Sequence, residues 1–271
     1  MSASRYPLAA LCVRIFSIGV AVTLAGCQPL RVTSPSPSNG WQASRQLVLV
    51  TTDNWNVDHG LLRTFQRKGA GTWQEVGNAQ AVTIGKAGSA WGLGLHAAQT
   101  DGPLKREGDN RSPAGVFRIG EAFGYAAHAL TALPYRALSA SDYCVDASDS
   151  PLYNRIVDAN IAGAAAVQGS TEPMRRDLHV DGDQRYRLGF VIEHNTQATA
   201  HGGSCIFAHL WKSPTDPTTG CTAMSPAAME TLLAWLRPQR QPVFVLLPRA
   251  EYQRLQAVWQ LPSLDAAGIA R

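Results

Sequence analysis

Residues 204–209 read Ser-Cys-Ile-Phe-Ala-His, and residues 218–226 read Thr-Thr-Gly-Cys-Thr-Ala-Met-Ser-Pro. The first stretch is short and largely apolar, so it predicts a strand that ends at His209. The second predicts a Gly-containing loop followed by a helix, because Ser225 can cap a helix and Pro226 suits its first position. This order of strand, loop and helix decides which polar side chains the fold brings together.

The predicted helix has an apolar face and a definite end. Its apolar residues follow helical spacing at i, i+3, i+4 and i+7, and they are Met229, Leu232, Leu233 and Leu236. Pro238 ends the helix because proline lacks the amide hydrogen that a helix interior needs. This is the one long helix that the sequence predicts, and a short second helix is expected over residues 249–259.

The rest of the chain has the pattern of a β protein. A hairpin is predicted over residues 61–76, with its turn at Gly69-Ala70-Gly71. Other apolar runs predict short strands at residues 46–52, 81–85, 115–119, 186–193 and 243–247. We therefore expect an α+β fold that is mainly β, with one helix after the Cys221 loop.

The N-terminal residues have the pattern of an export signal. Arg5 and Arg14 precede an apolar run at residues 15–26, which is too short for a membrane span. Residues 24–27, Leu-Ala-Gly-Cys, resemble a bacterial lipobox, in which the cysteine receives a lipid. This resemblance implies a signal peptide at 1–26 and a lipid on Cys27; the alternative is an ordinary signal peptide with an incidental cysteine. Gln28 then favours the outer membrane of a Gram-negative cell, facing the periplasm.

Two further segments complete the predicted organisation. Residues 27–46 are rich in Ser and Pro and predict an extended tether, because they cannot bury enough apolar surface to fold. Residues 47–271 are expected to form a single domain. The formal net charge of +4 is small and no basic stripe is visible, which argues against a nucleic-acid partner.

Cysteine usage indicates one reactive thiol. Cys12 belongs to the signal and Cys27 to the anchor, so Cys144, Cys205 and Cys221 remain. An odd number in an oxidising compartment predicts one disulfide and one free thiol. Parity alone leaves open which cysteine is free.

The position of Cys221 suits a nucleophile. It lies shortly before the predicted helix, whose N-terminus would lower the thiol pKa. Gly220 allows close approach of a substrate, and the N–H groups of residues 220 and 221 could bind an oxyanion. The alternative is a buried structural cysteine after a tight turn.

His209 is the candidate base for this thiol. It ends the strand before the loop and precedes Cys221 by twelve residues, a distance that allows the chain to return beside it. Cys–His pairing is the usual way to activate a thiol for acyl transfer. A hydrogen-bonded structural histidine at a strand end is the alternative.

Several motifs, in order, resemble the L,D-transpeptidase catalytic family (the YkuD-type domain). The two central ones are Ile206-Phe207-Ala208-His209 and Thr219-Gly220-Cys221-Thr222-Ala223-Met224. The others are Gly108-Asp109-Asn110-Arg111-Ser112-Pro113-Ala114-Gly115-Val116-Phe117, Ser150-Pro151-Leu152-Tyr153-Asn154, Glu193-His194-Asn195 and Gly202-Gly203-Ser204-Cys205. Together they cover most of the core at residues 100–247.

The resemblance implies a β-rich fold, no metal or other cofactor, and action on the stem peptides of peptidoglycan. Such enzymes cleave after the L-centre of meso-diaminopimelate and pass the acyl group to an amine. Cys221 is then the nucleophile, His209 the base, and Gly220 and Cys221 the oxyanion-hole residues. The expected substrate-binding residues are Thr219, Thr222, His194, Asn195 and Arg111. Because Cys221 must stay free in this role, Cys144 and Cys205 are expected to form the disulfide.

The chain departs from the family pattern at two places. Leu210 follows His209 where many members have Gly, and Thr222-Ala223 replaces a pair that contains Arg. That Arg is expected to help bind the donor peptide. The sequence offers Arg111, Arg155 and Arg187 as replacements and does not choose among them.

Three other functions fit part of the sequence. A carboxypeptidase or amidase would hydrolyse the same acyl-enzyme, and no residue distinguishes it from a transferase. A zinc peptidase would draw its ligands from His179, Asp181, His194, His201 and His209, but no HExxH motif is present. A non-catalytic, wall-binding lipoprotein would leave the Cys–His pair without a purpose.

Overall fold

The first strand of the domain, β1 (Gln46–Thr52), is buried along its whole length. In the computed structural model, which describes Met1 and residues 40–264, β1 pairs in parallel with β13 (Val243–Pro248) and antiparallel with β2 (His59–Gln66). Central strands covered on both faces have continuous apolar sequences. This is why β1 and β13 could be predicted almost to the residue.

The remaining elements alternate short strands with short helices. The other strands are β3 (Gln74–Thr83), β4 (Ser89–Trp91), β5 (Ser112–Gly124), β6 (Tyr135–Ala137), β7 (Asp142–Cys144), β8 (Ile156–Asp158), β9 (Glu172–Pro173), β10 (Leu188–Ile192), β11 (Phe207–Leu210) and β12 (Thr222–Met224). The helices are α1 (Ala159–Ala162), α2 (Arg176–His179), α3 (Pro226–Trp235) and α4 (Arg249–Leu255). The fold is mainly β, as predicted.

Ten of these strands form one sheet, and eight of them close on themselves. Following the pairings, β10 leads through β11, β12, β3, β2, β1 and β13 to β5, and β5 pairs back to β10. Strands β4 and β6 add to β5 from outside this ring. Closure brings β11 and β12 side by side in parallel, although a loop separates them along the chain.

A second, small sheet comes from the segment between β6 and β10. Its three strands have the order β8-β7-β9. A disulfide joins Cys144 at the end of β7 to Cys205, two residues before β11. The small sheet is therefore covalently tied to the strand that carries His209, through the cysteine pair expected if Cys221 stays free.

Two apolar clusters result from this arrangement. The larger one fills the main sheet and receives Met229, Leu232 and Leu233 of α3. The smaller one contains Phe123, Leu138, Cys144, Met174, Tyr186, Cys205, Phe207 and Cys221. Because it mixes residues from both sheets, Cys221 lies where the small sheet packs on the large one.

Most predicted elements occur with shifted ends. The hairpin turn falls between β2 and β3, where Gly69 adopts the left-handed conformation (φ 57°), but the strand expected at residues 81–85 is the end of β3. The strand expected at 204–209 starts only at Phe207, because Cys205 also has a left-handed backbone (φ 55°) that breaks the extended chain. It ends at Leu210, one residue beyond His209.

The two predicted helices both occur, and each ends earlier than expected. Helix α3 begins as predicted, with the Ser225 hydroxyl accepting from Ala228 N–H at 3.2 Å and Pro226 in the first turn. It stops at Trp235, before Pro238. The helix expected over residues 249–259 ends at Leu255. Two very short helices, α1 and α2, were not predicted, because one turn gives no periodicity to detect.

The predicted signal peptide, Cys27 and most of the tether at 27–46 lie outside the described residues. The predicted tether is too long at its C-terminal end, because residues from Gly40 onward belong to the compact domain, where Trp41 and Ser44 are buried. No helix in the described part of the chain is long and apolar enough to cross a membrane.

Candidate active site

The loop before β12 holds Cys221 by its backbone. Thr218 Oγ1 donates to the Cys221 carbonyl at 2.6 Å and accepts from Gly220 N–H at 3.1 Å. Ser112 Oγ donates to the same carbonyl at 2.9 Å. Two hydroxyl groups from different segments therefore fix the position of the candidate nucleophile. The Gly220 N–H, expected to serve an oxyanion, is bound to Thr218 in this structure.

The thiol of Cys221 has backbone partners. Its Sγ accepts from Phe207 N–H at 3.3 Å and donates to the Cys205 carbonyl at 3.5 Å. The residue is only 7% exposed. Burial raises the pKa of the thiol to about 12, and the negative charge of Glu172 acts in the same direction. The thiol is therefore protonated at neutral pH in this conformation.

The expected effect of the helix N-terminus on Cys221 was wrong. Strand β12 lies between Cys221 and α3, which begins at Pro226. The helix dipole acts over about one turn, so it does not reach across a strand of this length. Burial determines the thiol pKa instead, and its direction is opposite to the prediction.

His209 lies within β11, with its ring buried and 4% of the residue exposed. Its Nδ1 is 2.8 Å from the carbonyl oxygen of Leu210. Since a carbonyl only accepts, Nδ1 carries the proton, and Nε2 of the neutral ring is the free basic nitrogen. Burial lowers the pKa of His209 to about 4, although the Leu210 hydrogen bond opposes this shift. The orienting group that the sequence could not identify is thus a backbone carbonyl.

The strand register relates the two candidate residues. Parallel pairing aligns Ala208 with Thr222 and His209 with Ala223. Cys221 immediately precedes Thr222, so the candidate nucleophile and the candidate base lie on directly paired segments, as their spacing predicted. No hydrogen bond joins the Cys221 thiol to the His209 ring within residues 40–264, since the thiol donates to the Cys205 carbonyl instead.

Tyr186 links the two residues and was not predicted. Its ring lies edge-on to His209, with the ring centroids 5.1 Å apart, and edge-on to Phe207 at 5.5 Å. It belongs to the same buried apolar cluster as Cys221. In the sequence Tyr186 looked like one more apolar strand residue, because only the tertiary structure shows that its ring lies against His209.

Charged residues surround this centre. Arg176 Nη1 is 3.0 Å from Glu172 Oε1, and Arg176 Nε is 2.8 Å from Asp183 Oδ2. Arg185 Nη2 pairs with the same Asp183 oxygen at 2.6 Å. Arg176 and Arg185 both act on the charge of His209, in the direction that lowers its pKa.

Two predicted substrate-binding residues hold the loop after β10. His194 Nδ1 accepts from Leu93 N–H at 3.1 Å, and Nε2 lies 3.0 Å from the Gly202 carbonyl. Asn195 Nδ2 donates to Thr199 and Gly203 carbonyls at 2.9 and 3.0 Å. Both side chains are almost fully buried and their polar atoms are used within the protein.

The other three predicted substrate-binding residues differ in position. The Arg111 guanidinium donates to backbone oxygens of Trp55 and Ser89 at 2.9 and 3.0 Å, so it braces the loop before β5. Thr222 is buried in β12, whereas Thr219 is exposed beside Gly220. Of the set, Thr219 is the one most accessible to a ligand.

A cavity of about 630 Å³ is lined by residues of the cluster that contains Cys221, although Cys221 and His209 do not line it themselves. Its wall includes Phe207 and Cys144, neighbours of Cys221 in the smaller apolar cluster. Arg155 and Glu193 also line it, and neither has an ion-pair partner among the described residues. The cavity therefore offers one unpaired charge of each sign.

The residues of the zinc alternative do not form a metal site. Among Met1 and residues 40–264, no group of three or more His, Cys, Asp or Glu side chains is placed to hold a metal ion. His194 and His209 bind backbone groups instead. The structure therefore gives no support to a peptidase built on these ligands.

The comparisons with known proteins give no independent assignment of this site. The chain matches no model of a known protein family, and a search of curated protein sequences found no match.

Proposed function

We propose that this protein is a cysteine acyltransferase of the L,D-transpeptidase type that acts on peptidoglycan stem peptides. The observation that carries the proposal is the pairing of β11 with β12, which brings the free thiol of Cys221 next to a histidine whose Nε2 can accept a proton. The motifs that resemble the L,D-transpeptidase family include the same two residues. A neutral Cys–His pair of this kind suits acyl transfer.

In the proposed reaction, the proton of Cys221 Sγ moves to His209 Nε2 and the thiolate attacks the donor carbonyl at the L-centre. The tetrahedral intermediate collapses to a thioester, and His209 returns the proton to the departing amine of D-Ala. An acceptor amine then attacks the thioester and its proton passes to His209, which gives it to the departing Cys221 sulfur, so that the new amide and the thiol are released. Each step moves one proton and exchanges one bond at the acyl carbon.

In this structure the candidate site is closed to a peptide substrate. Cys221 and His209 are nearly inaccessible, and Tyr186 packs over the histidine ring. Substrate binding therefore requires the small sheet, or Tyr186 itself, to move away from β11. The thiol would then exchange its hydrogen bond to the Cys205 carbonyl for one to His209 Nε2, while Nδ1 keeps its bond to the Leu210 carbonyl.

The cavity lined by Phe207 and Cys144 suits a charged peptide. Arg155 can bind a carboxylate and Glu193 an ammonium group, because neither charge is neutralised by an ion pair among the described residues. A diaminopimelate side chain carries both groups. Arg155 is thus our candidate for the arginine that the family has after its cysteine.

The test uses purified protein and a tetrapeptide stem. Release of D-Ala together with a cross-linked or amino-acid-exchanged product is the expected result. Cys221→Ala should reduce turnover by about 10⁴-fold or more while leaving the melting temperature near that of wild type. Full activity of Cys221→Ala would refute the proposal. Tripeptide as the sole product, even with added D-amino acids, would favour the hydrolase.

We also propose that a lipid on Cys27 anchors the protein to the periplasmic face of the outer membrane of a Gram-negative bacterium. A tether near the wall would keep amine-bearing stems at high effective concentration. Cys27→Ser should move the protein from the membrane to the soluble fraction after cell lysis. Unchanged membrane fractionation of this variant would contradict the anchor.

A further inference from the structure

The motif at residues 150–154, Ser-Pro-Leu-Tyr-Asn, has no role in the proposed reaction. It lies between β7 and β8, in the segment that forms the small sheet. Its last residue, Asn154, has a left-handed backbone (φ 62°), a conformation that asparagine tolerates better than most residues. The side-chain amide of Asn154 makes three hydrogen bonds within the protein, all of them to backbone groups.

The amide of Asn154 spans two segments of the main chain. Its Nδ2 donates to the carbonyl oxygens of His194 and Asn195 at 2.8 and 2.9 Å. Its Oδ1 accepts from the Cys205 N–H at 2.9 Å. One side chain thus joins the residues that follow β10 to the residues that precede β11.

The backbone of Cys205 depends on support of this kind. It is left-handed (φ 55°), and a residue other than glycine keeps this conformation only where its neighbours hold it. The disulfide to Cys144 fixes its side chain, and the N–H of nearby Gly203 donates to the Tyr153 hydroxyl at 3.1 Å. Asn154 supplies the bond to the N–H of Cys205 itself.

The backbone that follows this N–H binds the sulfur of Cys221. The thiol donates to the Cys205 carbonyl at 3.5 Å, and Sγ accepts from the Phe207 N–H at 3.3 Å. A rotation of the main chain at Cys205 would move both groups, because one is its own carbonyl and the other follows two residues later. A chain of hydrogen bonds therefore runs from Asn154 through Cys205 to the thiol.

The other contacts of Cys221 leave the direction of its sulfur open. Thr218 and Ser112 bind the carbonyl of Cys221 and not its side chain. In the proposed reaction the thiol proton leaves the Cys205 carbonyl for His209. The Phe207 N–H can still donate to the sulfur at that point, and a hydrogen bond to the charged form favours the thiolate.

We propose that Asn154 is a positioning residue of the acyl-transfer site, which acts on the Cys221 sulfur through the backbone of residues 205–207. Its Oδ1 holds Cys205 so that the Cys205 carbonyl binds the resting thiol and the Phe207 N–H faces the thiolate. The effect of Asn154 on turnover rests on the proposed function. The hydrogen bond of the resting thiol does not, and it can be measured without any peptide.

Raman spectra of the full chain measure this hydrogen bond, since donation weakens the S–H bond and lowers its stretching frequency. Subtracting the spectrum of Cys221→Ser in each background removes the other thiols. Asn154→Gly deletes the side chain and suits a left-handed position, so the Cys221 band should rise to the frequency of a free thiol. Gln241→Gly is the matched control and should leave the band unchanged, because Gln241 is an exposed left-handed residue (φ 47°) between α3 and β13.

Asn154→Asp separates positioning of the thiol from general support of the loop. It keeps an oxygen for the Cys205 N–H and loses both donors to the carbonyls of His194 and Asn195, so the band should stay at the wild-type frequency. A shifted band in Asn154→Asp, or an unchanged band in Asn154→Gly, would overturn the proposal. The first of these outcomes is decisive even where Asn154→Gly does not fold.

Stem-peptide turnover is measured on the same variants. A displacement of about 1 Å at a reacting group can cost ~10²-fold, so kcat of Asn154→Gly should fall by about that factor and kcat of Asn154→Asp should change little. If the band shifts as expected but wild type leaves the tetrapeptide stem unchanged, the placement of the thiol by Asn154 stands and the transpeptidase assignment fails. If wild type turns over the stem and Asn154→Gly keeps the wild-type kcat, the transpeptidase assignment stands and the positioning role fails.

Discussion

His209 Nδ1 lies 2.8 Å from the carbonyl oxygen of Leu210, the next residue along the chain. Because the acceptor is a backbone group, no substitution of a neighbouring side chain removes it. The ring is thereby held in the tautomer that leaves Nε2 unprotonated. The first prediction follows from this contact.

We expect His209 to be a neutral, Nδ1-protonated ring at every pH above about 4, since burial lowers its pKa to about 4. Nitrogen NMR of labelled protein, with His209→Gln used to assign the signal, measures both the tautomer and the titration midpoint. An Nε2-protonated ring at pH 7 would contradict the orientation. His209→Gln should also reduce stem-peptide turnover by at least ~10²-fold.

The Cys144–Cys205 disulfide should stabilise the domain. It closes a loop with a sequence separation of 61 residues. On the chain-entropy account such a cross-link contributes about 4 kcal/mol, so Cys144→Ser with Cys205→Ser should lower the free energy of unfolding by about that amount. Urea denaturation of the double variant and of wild type measures the difference.

The control for the disulfide is wild type under reducing conditions. It should lose a similar amount of stability, because the same cross-link is opened. A double variant that equals oxidised wild type would show that the bond contributes nothing to folding. Peptide mapping that finds Cys221 in a disulfide in active protein would contradict the assignment of the free thiol.

Acid should destabilise the fold through buried histidines. His96, His194 and His209 each have a pKa lowered to about 4 by burial, against 6.5 for an exposed histidine. The unfolded chain therefore binds more protons between these values, and stability falls as the pH drops from 6.5 to 4. Each histidine contributes ~3 kcal/mol at most.

Denaturation midpoints at pH 7 and pH 4.5 measure this effect. His194→Gln should weaken the pH dependence, although it lowers stability at pH 7 by breaking the bonds to Leu93 and Gly202. His59→Gln is the matched control, because the side chain of His59 is 68% exposed. Equal midpoints for wild type at both pH values would contradict the prediction.

The two unpaired charges of the cavity should determine which stem peptide is used. A tripeptide ending in diaminopimelate presents an ammonium and a carboxylate on its side chain, whereas the lysine analogue lacks the carboxylate. Arg155→Gln should remove any preference for the diaminopimelate peptide, and Glu193→Gln should weaken the binding of both. Competition of each peptide against tetrapeptide turnover measures the effects.

A single charge contact of this type is worth about 1–3 kcal/mol, so the expected change in affinity is about 5- to 150-fold. Arg187→Gln is the control, since Arg187 is exposed but does not line this cavity. If Arg155→Gln keeps the wild-type preference for the diaminopimelate peptide, a different residue binds the carboxylate. Arg176 and Arg185 are then the next candidates.

Local sequence determined the elements whose signals are complete within a few residues. The apolar runs of β1 and β13 and the Ser225-Pro226 start of α3 depend on burial and capping over short spans, and the structure places all three as predicted. The spacing of His209 and Cys221 also led to their adjacent positions, because a short loop between parallel neighbours leaves few alternatives. The order of the motifs alone suggested thiol-dependent acyl transfer.

The pKa of the Cys221 thiol was decided by the tertiary structure alone. The pKa of Cys221 depends on how much water the small sheet excludes and on Glu172, 49 residues away in sequence, so no local pattern around the cysteine contains it. Tyr186 and Arg176 likewise acquire their contacts only in the folded chain. Desolvation and charge depend on every neighbour in space, whereas helix and strand signals depend on neighbours in sequence. For this reason the sequence indicated the Cys–His pair, but it predicted a lowered thiol pKa where burial raises it.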